Sequence, residues 1–179
     1  MSERIKPVHA QGFFTLSLDG LVNQVTVFDY MDPDGYYASL LEDESALEDE
    51  LWKLVANMQE FLDQEKVIIN GRRVKPKVRG IDICWRGDAT RPSITFFITF
   101  QGRLRSGLNA YEDYYEPTIA EYDYEFYWIF PPQVSISEAL MPGKHEIVND
   151  RILMVWVHKG TYVEGYEKIA FWVSQDRGE

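Results

Sequence analysis

A chain of 179 residues with 45% apolar and 15% aromatic side chains can close one core unaided, and its single cysteine, Cys84, excludes an internal disulfide. The net charge of −11 argues against general affinity for nucleic acid or anionic membrane, because both repel an acidic surface. Met1–Gly12 carries no apolar leader pattern, and no apolar run approaches the ~20 residues that span a bilayer, so a single cytoplasmic domain over 1–179 with no membrane partner is expected.

Residues 1–10 read as a loose lead. Phe14, Leu16 and Leu18 then alternate on one face, and Leu21–Phe28 resumes strand composition. Asp19-Gly20 between the two runs predicts a two-residue hairpin, a turn that needs positive φ at both positions. Asp32-Pro33-Asp34-Gly35 is a turn and not a calcium loop: with Gly35 in the loop's glycine position, Tyr30 and Leu41 fall where ligating acids belong.

The spacing predicts one long helix over 45–64. Ser45 and Glu48 have capping-box spacing, and Leu47, Leu51, Leu54, Val55, Met58, Phe61 and Leu62 recur every three or four residues as one apolar stripe. The stretch 66–105 follows. It holds ten of the 18 basic residues and two acids, Asp82 and Asp88, a local net of +8 in an acidic chain. Asn70-Gly71 predicts a tight hairpin within it. Ile94, Phe96, Ile98 and Phe100 give the clearest period-two pattern in the chain.

Residues 102–115 look mixed and turn-like. Tyr122–Phe130 reads as a strand with Tyr122, Tyr124, Phe126 and Trp128 toward the core. Ser135 and Glu138 again have capping-box spacing and predict a short helical turn. Ile152–His158, a Lys159-Gly160 turn and Tyr166–Val173 complete the chain before a polar tail over 174–179. Hairpins between consecutive strands imply antiparallel pairing. The expected class is therefore α+β: a mostly antiparallel sheet, strongly curved or barrel-like, packed on the one amphipathic helix.

Two charge ladders are the candidate sites. Arg73, Lys75, Lys77 and Arg79 occupy every second residue, which places them on one face of an extended strand, and Arg103 and Arg105 repeat the spacing. Such groups can bind a small anionic ligand; a charged edge strand protected from aggregation has the same pattern, and Pro76 fits it. Glu121, Asp123 and Glu125 form an acidic ladder that could hold a divalent cation, the one cofactor the sequence suggests, or pair across strands with the basic one.

Tyr111, Tyr114, Tyr115, Tyr122, Tyr124 and Tyr127 crowd together, a composition suited to a protein–protein surface and a homodimer. No nucleophile motif, phosphate loop or paired-cysteine metal site is present, so no catalytic residue is assigned. The leading expectation is a binding or self-associating module with a basic anion-binding face. The alternative is a divalent-metal-dependent enzyme acting on a phosphorylated small molecule, its metal on the acidic ladder and its phosphates on the basic one. A nucleic-acid role ranks below both.

Overall fold

The computed structural model describes residues 4–174 and is α+β, with mostly antiparallel sheets and two α-helices, one of them long. Its first strand, β1 (Lys6–Leu16), already takes up residues 6–10, the second half of the expected loose lead. Lys6–Ala10 are drawn into the sheet by pairing with β2 (Leu21–Met31) on one side, and His9 and Ala10 also pair with a later strand on the other. The polar tail predicted over 174–179 lies outside the described residues except for Ser174. The β1–β2 connection is looser than a two-residue turn. Ser17 N donates to Leu21 O, and only Gly20 takes positive φ, at 87°.

After β2 the chain makes a helical turn, α1 (Tyr36–Ser39), a 3₁₀ turn (Leu40–Glu42), and then α2 (Glu44–Gln64). The expected Ser45 cap is displaced by Asp43. Its Oδ1 accepts from the backbone N–H groups of Ser45 and Ala46, both at 3.1 Å, which satisfies two orphan donors and sets a negative charge at the helix N-terminus. The stripe is confirmed at Leu54 and Leu62, which are buried, but Phe61 stays 65% exposed. Gln59 docks the helix laterally: its Nε2 donates to Pro76 O and its Oε1 accepts from Val78 N.

The remaining strands are β3 (Lys66–Ile69), β4 (Arg72–Arg73), β5 (Lys77–Trp85), β6 (Pro92–Gln101), β7 (Gly107–Tyr114), β8 (Thr118–Ile119), β9 (Asp123–Ile129), β10 (Val134–Leu140), β11 (Lys144–Val148), β12 (Ile152–Val157), β13 (Tyr162–Val163) and β14 (Tyr166–Val173). They form a seven-stranded sheet in the order β11-β12-β9-β1-β2-β6-β5, a five-stranded sheet β10-β14-β7-β3-β4, and the small pair β13-β8. The sheets do not close into one barrel. The β1–β9 pair is parallel and every other pair antiparallel.

Four sequence expectations meet the fold here. Asn70-Gly71 is the tight turn expected, with φ of 51° and 75°. A second turn with paired positive φ, Asn149-Asp150 between β11 and β12, had the same asparagine signal and was passed over. The 102–115 segment is irregular over 102–106, but Gly107–Tyr114 is a strand, paired along its whole length with β14. The helical turn expected at 135–138 is instead part of β10, because Val134 and Ile136 bury against the core while the chain pairs with β14. The Lys159-Gly160 turn joins no paired strands; it carries the chain away from the larger sheet.

Two apolar cores result. One lies between the two sheets and contains Phe100, Tyr111, Phe126, Trp128, Leu153, Ile169 and Phe171. The other lies under α2 and contains Leu54, Leu62, Ile94, Phe96 and Ile98. Ile94, Phe96, Ile98 and Phe100 are all buried, as the alternation predicts, and this one strand serves both cores.

Gly165 fixes the start of β14 against the end of β7. Its φ is 80°, its carbonyl accepts from Tyr115 N at 2.9 Å, and a Cβ there would collide with the Tyr115 carbonyl oxygen. Gly165→Ala is expected to cost about 2–4 kcal/mol, from left-handed strain together with a backbone clash. Urea unfolding of the variant checks this; an unchanged midpoint would contradict the turn.

Candidate functional site

The two cores do not meet. Between them lies a cavity of about 640 Å³, within the usual range of small-molecule sites. The C-terminal half of α2 forms one wall through Leu54, Met58 and Leu62, with exposed Phe61 at the rim. The inner face of the larger sheet forms the second wall. Strands β1, β2, β6 and β9 supply Phe14, Phe28, Phe96, Phe100, Tyr124 and Phe126. The third side comes from the smaller sheet. A second cavity, of about 270 Å³, shares Phe14, Phe28, Tyr122, Tyr124, Phe126 and Glu167 with it.

Three carboxylic acids line this mostly apolar space, alongside the neutral polar side chains of Gln24, Thr26, Asn57 and Thr118: Glu65 at the C-terminal cap of α2, Asp113 on β7 and Glu167 on β14. Asp113 and Glu167 are directly opposite each other across the β7–β14 ladder, and Asp113 also pairs with Val67 on β3, two residues after Glu65. Strand periodicity puts them there. Asn109, Tyr111 and Asp113 share the inward face of β7, and Glu167, Ile169 and Phe171 share that of β14. Asp113 and Glu167 are only 7% and 8% exposed.

Their environment disfavours charge. Burial, with repulsion from Asp113, pushes Glu65 up to about 8. Burial pushes Asp113 up to about 6, against hydrogen bonds from Tyr111 and the Tyr114 backbone that act in the opposite direction. Glu167 is raised well above the ordinary glutamate range by burial and by the charges of Asp113 and Glu65. Like charges directly opposite on neighbouring strands repel, and loss of water leaves little to screen them. The phenols of Tyr111, Tyr115 and Tyr124 are raised as well, burial being the first cause in each.

Compensation from the protein is sparse. Tyr111 donates to Asp113 Oδ2 at 3.4 Å, at the long limit of a hydrogen bond, while Asp113 Oδ1 is buried without a partner. Among the described residues no side-chain hydrogen bond or ion pair reaches the carboxyl groups of Glu65 or Glu167. No lysine, arginine or histidine is among the described residues that line the cavity.

The sequence-predicted ladders lie elsewhere. Arg73 is in β4 at the edge of the smaller sheet, whereas Lys77 and Arg79 are in β5 at the edge of the larger one, so no single strand carries all four cations. Arg73 donates to the backbone carbonyls of Glu65 and Asp63 and so caps α2. Lys77 pairs with Asp63 at 3.4 Å, and Arg79 sits at a register shift and donates to Thr99. Arg105 donates to Leu108 O; Lys75 and Arg103 are exposed.

The acidic ladder is on the outer side of β9 or just before it. Glu121 is exposed, Asp123 accepts from Lys159 N, and Glu125 meets His9 at 2.8 Å and also Gln11. Three strands separate β9 from β5, ~19 Å at ~4.8 Å per strand, so the ladders do not face each other across a strand pair. Among the described residues no three of His, Cys, Asp and Glu converge in a way that could hold a metal ion. Of the clustered tyrosines, Tyr111, Tyr115, Tyr122 and Tyr124 line the cavity. Tyr114 packs outside at a tilt against Tyr166, and Tyr127 stacks on Phe13.

Sequence reasoning missed Glu65, Asp113 and Glu167. The signal was present in Tyr166–Val173, where alternation sets Glu167 on the same face as Ile169 and Phe171. A carboxylate at a core position is the kind of local conflict that marks functional sites.

No protein-family model matches the chain, and no curated protein matches it. Among solved structures it is similar to the folded domain of the LppM protein of Mycobacterium tuberculosis, at a TM-score of 0.50 and 10% identity over 98% of this chain and 95% of that one. It is similar also to an M1 zinc metallopeptidase from Deinococcus radiodurans, at a TM-score of 0.39 and 9% identity over 93% of this chain and 42% of that one. The first likeness concerns the fold alone. No helix among the described residues is long and apolar enough to cross a membrane.

Proposed function

We propose that this protein is a binding module that takes one small, mostly apolar molecule into the cavity between α2 and the two sheets. The observation that carries the reading is a lined space of about 640 Å³ left between two otherwise packed cores. Protein interiors are close-packed, and an unfilled space of this size forfeits the contacts its walls would otherwise make. Aromatic walls with a small number of polar groups are the usual chemistry of a ligand site. The proposal moves the site away from the basic ladder, since Arg73, Lys77 and Arg79 already have partners within the chain.

The test uses N-phenyl-1-naphthylamine, a nearly neutral probe whose fluorescence rises in apolar surroundings. Saturable binding at one site per chain is expected, and Met58→Trp, which places a larger ring in the cavity wall, is expected to weaken it at least tenfold. Absence of saturable binding, or binding indifferent to Met58→Trp, would overturn the reading.

A further inference from the structure

We propose that the molecule held in the cavity carries an ammonium group seated among Glu65, Asp113 and Glu167, with its apolar body along the aromatic walls. This inference rests on the cavity reading above and adds the chemistry of the ligand's head. Three geometric facts lead to it. The acids come from three separate elements, α2, β7 and β14, yet all line the same cavity. Glu167 is more than nine-tenths buried and has no hydrogen-bond or ion-pair partner among the described residues. Asp113 Oδ1 is a buried acceptor without a donor.

A carboxylate so placed calls for donors, and a buried charge for an opposite one. An ammonium supplies both, with up to three N–H donors on a compact cation. The surrounding rings of Tyr111, Tyr115 and Tyr124 add faces that attract a cation. A divalent metal is the weaker candidate, because the described acids do not converge as metal ligands. An anionic head would meet no basic side chain among the described lining residues and would be repelled by each carboxyl group that ionised, leaving only neutral amide and hydroxyl donors to hold it.

Binding should release protons. The groups that face the head are Glu65 from α2, Asp113 and Tyr111 from β7, Tyr115 just beyond it, Glu167 from β14 and Tyr124 from β9. In the empty cavity at pH 7 Glu65, pushed up to about 8, holds its proton, and burial with the neighbouring acids raises Glu167 in the same direction. An ammonium favours the ionised carboxylates, so a proton leaves as the cation enters, and affinity rises with pH from 6 toward 8.

The experiment compares decylamine, 1-decanol and decanoate, each below its micellar concentration, by calorimetry with the full chain at pH 7.5. The amine is expected to bind at least about tenfold tighter than the alcohol, the effect of one or two charge-assisted hydrogen bonds. Its heat should differ between buffers of unlike ionisation enthalpy in the direction of proton release. Glu167→Gln should erase most of the amine's advantage over the alcohol, with Asp113→Asn as the second variant. Saturable binding of the alcohol with no preference for the amine would overturn the ammonium assignment and leave the cavity reading standing, as would a preference for decanoate. An amine preference that survives both substitutions would reduce it to the attraction of an acidic chain and also overturn it. Failure of all three compounds to bind would overturn the cavity reading itself.

Discussion

At pH 8 Glu167→Gln is expected to be clearly more stable than the natural chain, and at pH 4.5 to be nearly indistinguishable from it. The sign follows from the direction of the shifts. Glu65, Asp113 and Glu167 all have folded-state values above their ordinary ones. A group raised in this way contributes fully below its unfolded value, and the contribution is lost as pH rises through the folded value. For Asp113 the loss runs from its ordinary value up to about 6 and for Glu65 up to about 8, and Glu167 loses stability in the same direction.

Glutamine keeps the shape of the side chain and has no proton to lose, so its curve should be the flatter one. Asp88 and Asp123 are lowered by their hydrogen bonds and work in the opposite sense, but only in acid below their ordinary values. The general repulsion of a chain of net −11 at high pH acts on both proteins and cancels in the comparison. Urea unfolding between pH 4.5 and 8 checks the prediction; parallel curves for the two proteins would sink it. A variant that gains stability while losing amine binding would show a site maintained against folding, as strained functional sites often are.

The second large effect is expected at Trp128. It is 1% exposed, stacks on Phe14 with ring centroids 4.6 Å apart and 9° between planes, and lies 4.6 Å from the Tyr111 ring. Trp128→Ala removes that centre and should cost about 3–5 kcal/mol. Trp128→Phe should cost far less, since the indole Nε1 is buried without a partner and its removal relieves an unsatisfied donor. Because Tyr111 donates to Asp113, the alanine variant should also loosen the acid cluster. Denaturant midpoints separate the two variants, and near-ultraviolet circular dichroism reports the loss of aromatic order; equal costs would show that stacking does not govern this core.

Much of the local architecture could be read directly from residue order. The stripe from Leu47 to Leu62 specifies a helix because apolar residues every three or four positions make one face at 3.6 residues per turn. Ile94 to Phe100 specifies a strand because alternation makes one face at a period of two. Asn70-Gly71 specifies a tight turn because both residues accept positive φ. The errors have equally local causes. Gly107 and Asn109 carry turn chemistry at the start of β7, so a paired strand has the look of a turn. Ser135 and Glu138 imitate a capping box on a strand whose fate is decided by its pairing with β14.

What the sequence by itself determined, then, is the set of elements with strong periodicity, the hairpin at 70–71 and the α+β class. Only the tertiary structure decided which sheet each strand joined. That choice divided the basic ladder between two sheet edges and turned the acidic ladder to the outside of β9. It also created the cavity, which exists because α2 packs on one end of the larger sheet while the smaller sheet covers the other. The carboxylates of Glu65, Asp113 and Glu167 are remote in the chain, and nothing in their local spacing links them. They line one cavity because cross-strand register sets Asp113 opposite Glu167 and the end of α2 feeds into β3 beside them. Periodicity is a property of neighbours along the chain, whereas a buried charge cluster is a property of neighbours across it.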